Sequence, residues 1–492
     1  MMLCHNRCPN TANRPSRILF VVLVLSMVVP AVGRAQETQP RLGAKVAELR
    51  RKHDVPALAV IVVNKDGVVE SNCSGDRKRG ASDRAELSDR FAIGSNTKSM
   101  TATLAAVLVE AGQIEWSTTL GEVWPKATDE HLHPKLRDVT LDELLSHQSG
   151  IAVNISDVSR SEWARFFAEK ESPALERRRM LRIVLPKAPA SPRGQFVYSN
   201  LGYAIAASML ETRAGRSFET LMKELVFEPL EMRSADFRTL ESAEKSTPPL
   251  LWGHDANGKP VDPRAPGAEN PSVYASCGTV HLSVEDYAKY ACWHLAGKPS
   301  PVLKTQATFD HLHEPLIEST PGNHYACGWI CAPTPLGSGL NHGGSNTNSF
   351  ALIWVIPEAD LAAIVCTNTG EPQAFPACDE MMGYLFARHG SGQKQTDAGE
   401  MDSKPGTIAP ERLAGRYQLT PNFIFDVKYE GGRMMVGITN QPTQQVYADS
   451  PTKWSYKSVE ATLEFHVRSK GPAYALTLHQ NGIKQQAKRI GN

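Results

Sequence analysis

The 492-residue chain lacks an excess of charge of either sign: 53 Lys and Arg stand against 52 Asp and Glu, a formal net charge of +1. Without a basic field there is no electrostatic footprint for nucleic acid, and no such partner is expected. Long apolar runs are missing too. Only Ile18 to Val32 approaches one; it is interrupted by Pro30 and falls short of the ~20 residues a membrane-spanning helix needs. Cysteine is scarce, with 9 in the chain. Those beyond residue 35 are Cys73, Cys277, Cys292, Cys327, Cys331, Cys366 and Cys378, an odd number that leaves at least one thiol unpaired and excludes a disulfide-built scaffold. There is no glycine loop of the nucleotide-binding kind and no Gly-x-Ser-x-Gly elbow of the α/β-hydrolases.

What is present begins with a leader. Arg7, Arg14 and Arg17 precede the apolar run, and Gly33-Arg34-Ala35 follows it. This is the charged, apolar and small-residue order of a secretory signal. Export to the periplasm or medium is therefore expected, with residues 1–35 removed; an uncleaved anchor is the alternative. Those residues hold four Arg and no acid, so their loss takes the charge from +1 to −3. The remainder, 41% hydrophobic and 21% charged over the whole chain, is ordinary for a globular protein with a large core.

Residues 57–63 form an apolar β-branched run, "NKDG" a turn, and "VVESNCSG" a second extended stretch; together they predict a hairpin. Between about 140 and 240, "TLDELLSH", "SEWARFFAEK" and "LGYAIAASMLETRAG" read as helices. "GLNHGGSNTNSFALIWVIPEADLAAIVCTNTG" then gives three strand-like runs, followed by an amphipathic stretch from Asp379 to Arg388. Strands at both ends of a helical middle predict an α+β body, residues 36–390, whose antiparallel sheet joins the two ends. Polar, Gly- and Pro-bearing residues 391–409 read as a linker, and the alternating stretches of 410–492 as a small all-β domain.

Four Ser-x-x-Lys pairs occur, at Ser95, Ser242, Ser391 and Ser450, but only Ser95-Asn-Thr-Lys98 leads straight into an uncharged helical run, "SMTATLAAVL". At a helix start, residues i and i+3 share a face, so the Lys98 amine reaches the Ser95 hydroxyl. The positive end of the helix favours a developing oxyanion. A serine cap with a solvated lysine is the plain alternative. Tyr198 is the only tyrosine followed at +2 by asparagine; a phenol near an ammonium serves as acid or base, and Asn200 can bond a substrate amide. His342-Gly343-Gly344 sits in a strand-like run. Glycines there admit a close backbone approach, with the N–H of Ser345 a second oxyanion donor beside that of Ser95.

In order and spacing, "FAIGSNTKSMTA", "VTLDELLSHQSGI", "PRGQFVYSNLGYAIAASMLE", "FEPLEM", "SCGTVHLSVEDYAKYA" and the "NHGGSNTNSF" strand resemble the serine β-lactamase and penicillin-binding-protein superfamily. The likeness is to its class C β-lactamase, D,D-carboxypeptidase, D-aminopeptidase and esterase branch. The resemblance implies the β-lactamase/transpeptidase fold: an antiparallel sheet flanked by helices, with a helical subdomain. It implies Ser95 as nucleophile, Lys98 as its activator and Tyr198 as acid/base. Asn200, His342, Gly344 and Ser345 would bind substrate, with no cofactor and no metal. The usual Lys-Thr-Gly or Lys-Ser-Gly strand triplet is absent, and His342 stands in its place. That favours a D-amino-acid peptide or a small acyl ester over a β-lactam. Cell-wall peptides are candidate partners, and oligomeric state stays open. The C-terminal domain resembles the small lipocalin-like barrels of some such hydrolases. Two other classes remain: a non-catalytic binding protein of the same shape, and a metallohydrolase using His131-Leu-His133 or His311-Leu-His313.

Overall fold

The computed structural model describes residues 41–125, 132–168, 171–237, 251–255, 257–265, 267–320, 322–334, 336–370, 373–389, 408–420, 423–438, 444–456, 461–480 and 483–491. The leader, most of the linker and the pairs at Ser242 and Ser391 lie outside the described residues.

An eight-stranded antiparallel sheet forms the frame. Its strands are β1 (Ala57–Asn64), β2 (Gly67–Gly75), β3 (Ile317–Thr320), β4 (Asn323–Tyr325), β5 (Ile330–Thr334), β6 (Gly337–Ser345), β7 (Phe350–Ile356) and β8 (Leu361–Thr367), in the spatial order β2-β1-β8-β7-β6-β5-β4-β3. β1 pairs with β8, Val60 opposite Val365, so the sheet does join the two ends of the body. The hairpin is closed by Lys65-Asp66, with Asn64 opposite Gly67.

β1, β7 and β8 read as unbroken apolar runs because both of their faces are covered. Leu58, Val60 and Val62 of β1 point one way, with Leu352, Val365 and the residues Val46 and Leu49 of helix α1 (Leu42–Lys52). Met381 and Leu385 of helix α5 (Ala374–His389) complete that layer. Ala59, Ile61 and Val63 point the other way, into the main core with Ile353 and Ile364 and with Tyr287 and Ala291 of helix α4 (Val284–Ala296). Two-residue periodicity thus sorts one continuous run into two cores. Each fully buried Val, Leu or Ile contributes roughly 1.5–3 kcal/mol.

Between β2 and β3 lie helix α2 (Thr97–Glu110), a set of shorter helices and helix α3 (Asn200–Ala214). α2 is buried around almost its whole circumference, the reason its sequence shows small uncharged residues instead of an amphipathic stripe. Gly112, at φ +67, sits just past its end. In the helical region Arg177 is completely buried and pairs with Glu211 at 2.6 Å and Glu219 at 2.8 Å, tying helix Pro173–Val184 to α3 and to helix Phe218–Met222.

The C-terminal strands Gly415–Thr420, Phe423–Glu430, Arg433–Ile438, Gln444–Ala448, Lys453–Tyr456, Ala461–His466, Ala475–Gln480 and Ile483–Gly491 close into an eight-stranded barrel. Each strand pairs with the next in sequence and the first with the last. Tyr417, Phe425, Met434, Val446, Leu463, Phe465 and Leu476 form its own core, as expected when a barrel of this strand number fills itself with side chains.

Candidate active site

The chain reaches the site along Arg90–Ala92, which pairs with Val280–Ser283. It turns at Gly94, φ +50, into the short 3-10 turn Gly94–Asn96 and then into α2. A Cβ on Gly94 would lie 2.5 Å from the Ser345 nitrogen. One on Gly344 would lie 2.0 Å from the Ile93 oxygen and 2.6 Å from the Ser95 nitrogen. Both glycines are there so that two backbones can touch. Gly344 therefore accommodates the Ser95 turn, where the sequence suggested a ligand, and it brings the amides of Ser95 and Ser345 close together. β6 pairs with β5 only from Gly337 to Asn341, but with β7 as far as Ser345. His342 to Ser345 thus present one open backbone edge.

Lys98, in the first turn of α2, has no solvent exposure. Its Nζ bonds Ser95 Oγ at 3.0 Å, Asn200 Oδ1 at 2.8 Å and the Cys277 carbonyl oxygen at 3.0 Å. The last two groups only accept, so they occupy two N–H bonds. The remaining position faces Ser95 Oγ, the one partner able to give a proton back. Once the amine has given up a proton, its two N–H groups stay on those acceptors and its lone pair points at the serine. The Tyr198 and Tyr203 rings lie 4.8 and 5.5 Å from Nζ, where their faces favour a cation. The Ser450 copy of the motif shows the alternative outcome. There the serine oxygen accepts the backbone N–H of Lys453 at 3.1 Å in a surface turn, while the lysine side chain faces Glu464.

Ser199 caps α3, accepting the Gly202 N–H at 2.9 Å and donating to the Ala152 carbonyl at 2.7 Å. This places Tyr198 just before the helix and Asn200 at its first turn. Asn200 Nδ2 donates to Asn154 Oδ1 at 2.8 Å, and the Asn154 N–H is held by Asp157 at 2.9 Å. With a donor, Lys98 Nζ, on one side and an acceptor, Asn154 Oδ1, on the other, the amide of Asn200 is fixed with its oxygen towards Lys98.

Ser95, Lys98, Tyr198, Asn200, Gly344 and Ser345 are thus brought together. His342 is brought near but turned inward. Its ring is only 4% exposed, its Nδ1 donates to the Gly343 carbonyl at 2.7 Å and its Nε2 accepts from the Tyr325 hydroxyl at 3.2 Å. Burial, and then the charge of Lys98, push its pKa down to about 3. The imidazole is neutral and fully engaged inside, so in this strand the backbone, not the histidine side chain, borders the cleft.

Sequence reasoning assigned no site role to His147, Asn154, Tyr325 or the Cys277 carbonyl. No side chain of "SCGTV" marks it for the site, yet its Cys277 oxygen anchors Lys98. A backbone acceptor has no residue type to betray it. His311 and His313 do not converge. His311 Nε2 bonds Asp142 at 2.9 Å and its Nδ1 lies 3.5 Å from Glu314, whereas His313 turns to His294 at 2.8 Å; His131 lies outside the described residues. Asp142, His311 and Cys327 do gather donor atoms within 4.8 Å. Burial opposes a charged His311 ring, but Asp142 and Glu314 prevail and raise its pKa. A His311 ring bonded to Asp142, flanked by Glu314 and stacked on Trp116 at 4.3 Å accounts for that cluster. All seven cysteines of the described residues are free thiols.

The beta-lactamase family profile matches residues 42–381. Penicillin-binding protein 4 of Amycolatopsis lactamdurans is 26% identical over 393 residues, 75% of this chain and 95% of that protein. The unguisins hydrolase ungD of Aspergillus violaceofuscus is 27% identical over 257 residues, 50% of this chain and 43% of the hydrolase. This chain therefore spans less than half the length of that relative. Among solved structures, the octameric penicillin-binding protein homologue from Pyrococcus abyssi superposes with a TM-score of 0.59 at 22% identity, covering 91% of this chain and 99% of that one. A D-stereospecific amidohydrolase from Streptomyces gives 0.56 at 20% identity, covering 69% and 98%. With the Gly94 turn seated on Gly344, Lys98 bonded to a half-buried Ser95 and this profile match, the chain belongs to the beta-lactamase family.

Proposed function

We propose that the protein is an exported serine hydrolase that works through an acyl-enzyme at Ser95. Its substrates are peptide, amide or ester bonds of D-amino-acid peptides or small acyl esters, in preference to β-lactams. The observation that carries the reading is the Lys98 cradle, in which two obligate acceptors leave the amine one position, on Ser95 Oγ.

In the first half-reaction Lys98 takes the hydroxyl proton as Ser95 Oγ bonds the substrate carbonyl carbon. The carbonyl electron pair moves onto oxygen, where the N–H groups of Ser95 and Ser345 hold it. Collapse breaks the bond to the amine or alcohol, which leaves with the proton passed from Lys98 by way of Tyr198. Water then attacks the ester and gives its proton to the same pair, which hands it to Ser95 Oγ as the acyl–oxygen bond breaks and the acid leaves.

A neutral, interior His342 supplies no charge to a substrate carboxylate, which argues against penicillin-like ligands. The fold shared with a D-stereospecific amidohydrolase supports D-residue amides as substrates. Intact mass and peptide mapping after exposure to a fluorophosphonate, and separately to a penicillin, test this. We expect a fluorophosphonate adduct on Ser95, absent in Ser95→Ala and strongly slowed in Lys98→Met, with little penicillin adduct. A folded protein that takes neither label would overturn the reading. Export rests on residues 1–35, and N-terminal sequencing of the protein made in its own host should begin near Gln36. Cytosolic protein that retains the leader would refute it.

A further inference from the structure

His147 lies in no predicted role, yet it touches the chain on both sides of Tyr198. Its carbonyl oxygen accepts the Val197 N–H at 2.9 Å, and its Nδ1 accepts the Ser199 N–H at 3.0 Å. Its ring packs 4.2 Å from the Tyr198 ring, centre to centre. The three contacts hold the residue before Tyr198, the residue after it and the phenol ring itself. To make them the residue adopts φ +64, a left-handed conformation that a side-chain-bearing residue enters at a cost. The ring has no solvent exposure.

We propose that His147 is the positioning residue for Tyr198, a clamp that sets where the phenol stands over Lys98. The inference rests on the acyl-enzyme reading above, which gives Tyr198 its work. Because a backbone N–H can only donate, Nδ1 must carry a lone pair. The proton of the neutral ring is therefore on Nε2, which has no hydrogen-bond partner among the described residues. Around the ring stand those of Tyr198, Tyr203, Tyr325 and Phe196, and the ionisable groups that act on it are Lys98 and His342. A second proton would have to sit on Nδ1, against the Ser199 N–H, where it meets no acceptor. The clamp works only in the neutral, Nε2–H state, and protonation at Nδ1 opens it at the Ser199 amide.

Two variants and one spectrum test the clamp. His147→Gly keeps the left-handed backbone without strain and removes the ring and its acceptor. His147→Asn also tolerates that backbone and returns an acceptor oxygen near the Nδ1 position. For fluorophosphonate labelling of Ser95, His147→Gly should lower the maximal labelling rate about tenfold or more, while half-saturation moves by less than about threefold. His147→Asn should recover most of that loss. In the parent chain at neutral pH, nitrogen NMR of labelled histidine should show His147 as the Nε2–H tautomer with an accepting Nδ1. An Nδ1–H or doubly protonated ring would overturn the clamp, whether or not the variants fold. So would a folded His147→Gly with an unchanged rate beside a slowed Tyr198→Phe. If Tyr198→Phe itself labels at the parent rate, the acid/base reading of Tyr198 fails instead, and the tautomer alone decides the clamp.

Discussion

Lowering the pH from 8 to 5 should unfold the main body far more readily than its carboxylates require. Burial, with the charge of Lys98, holds His342 down to about 3, and burial holds His313 down to about 4. Both are thus neutral in the fold at pH 5, whereas an unfolded histidine titrates near 6.5. A base with a depressed folded pKa favours the unfolded state once that state takes up the proton. Stability is therefore complete above about 6.5 and falls as pH drops through it. At 1.36 kcal/mol per pH unit per group, the 1.5 units down to pH 5 cost about 2 kcal/mol for each of the two histidines. About 4 kcal/mol is a large part of the 5–15 kcal/mol typical of a domain. His147 and His294, also driven low by burial, act in the same direction. His311, raised chiefly by Asp142 against its burial, acts in the opposite one. Urea unfolding followed by tryptophan fluorescence isolates the body, because of the 8 tryptophans only Trp454 lies in the barrel. The free energy of unfolding should fall by several kcal/mol between pH 8 and pH 5. In His342→Gln that fall should shrink by about 2 kcal/mol, even though the variant starts less stable. A parent protein with a flat profile, or a His342→Gln profile parallel to the parent's, would refute the reasoning.

Three further outcomes are expected. Arg177→Ala leaves Glu211 and Glu219 facing an uncompensated interior and should cost about 3–5 kcal/mol in urea unfolding; a loss below 1 kcal/mol would show the cluster to be solvated. Gly344→Ala forces a Cβ into the Ile93 carbonyl, so it should separate the two oxyanion donors and slow Ser95 labelling about 100-fold; an unchanged rate would remove Ser345 from the proposed mechanism. Residues 408–492, with a closed strand order and a core of their own, should fold alone and unfold cooperatively, which circular dichroism would check.

Much of the fold was legible because it is written in periodicities. The runs at 57–63 and 350–367 are too apolar and β-branched for an exposed strand, and they lie in the middle of a covered sheet. The barrel's alternation marked it as a separate β domain. The site was legible where chemistry and spacing coincide within one segment, as in Ser95 with Lys98 and Tyr198 with Asn200. It was illegible where a partner arrives from a distant segment. Nothing in "SCGTV" says that a carbonyl 179 residues from Lys98 will accept a hydrogen bond from its amine, and nothing in "LLSHQSG" says that His147 will bracket Tyr198. His342 shows the same limit in reverse. Its residue type suggested a ligand for substrate, but the Tyr325 hydroxyl reaches it first.

The sequence by itself determined the helix turn that puts an amine beside a hydroxyl and the strands that bury on both faces. It also set the glycines without which two backbones could not meet, because these depend on residue volume and on repeats of two and three to four residues. Tertiary structure decided which hydrogen bonds close on those groups, which way His342 points and whether an imidazole is charged. Those outcomes depend on the solvent and neighbours that distant segments supply, and on local geometry only a folded chain possesses.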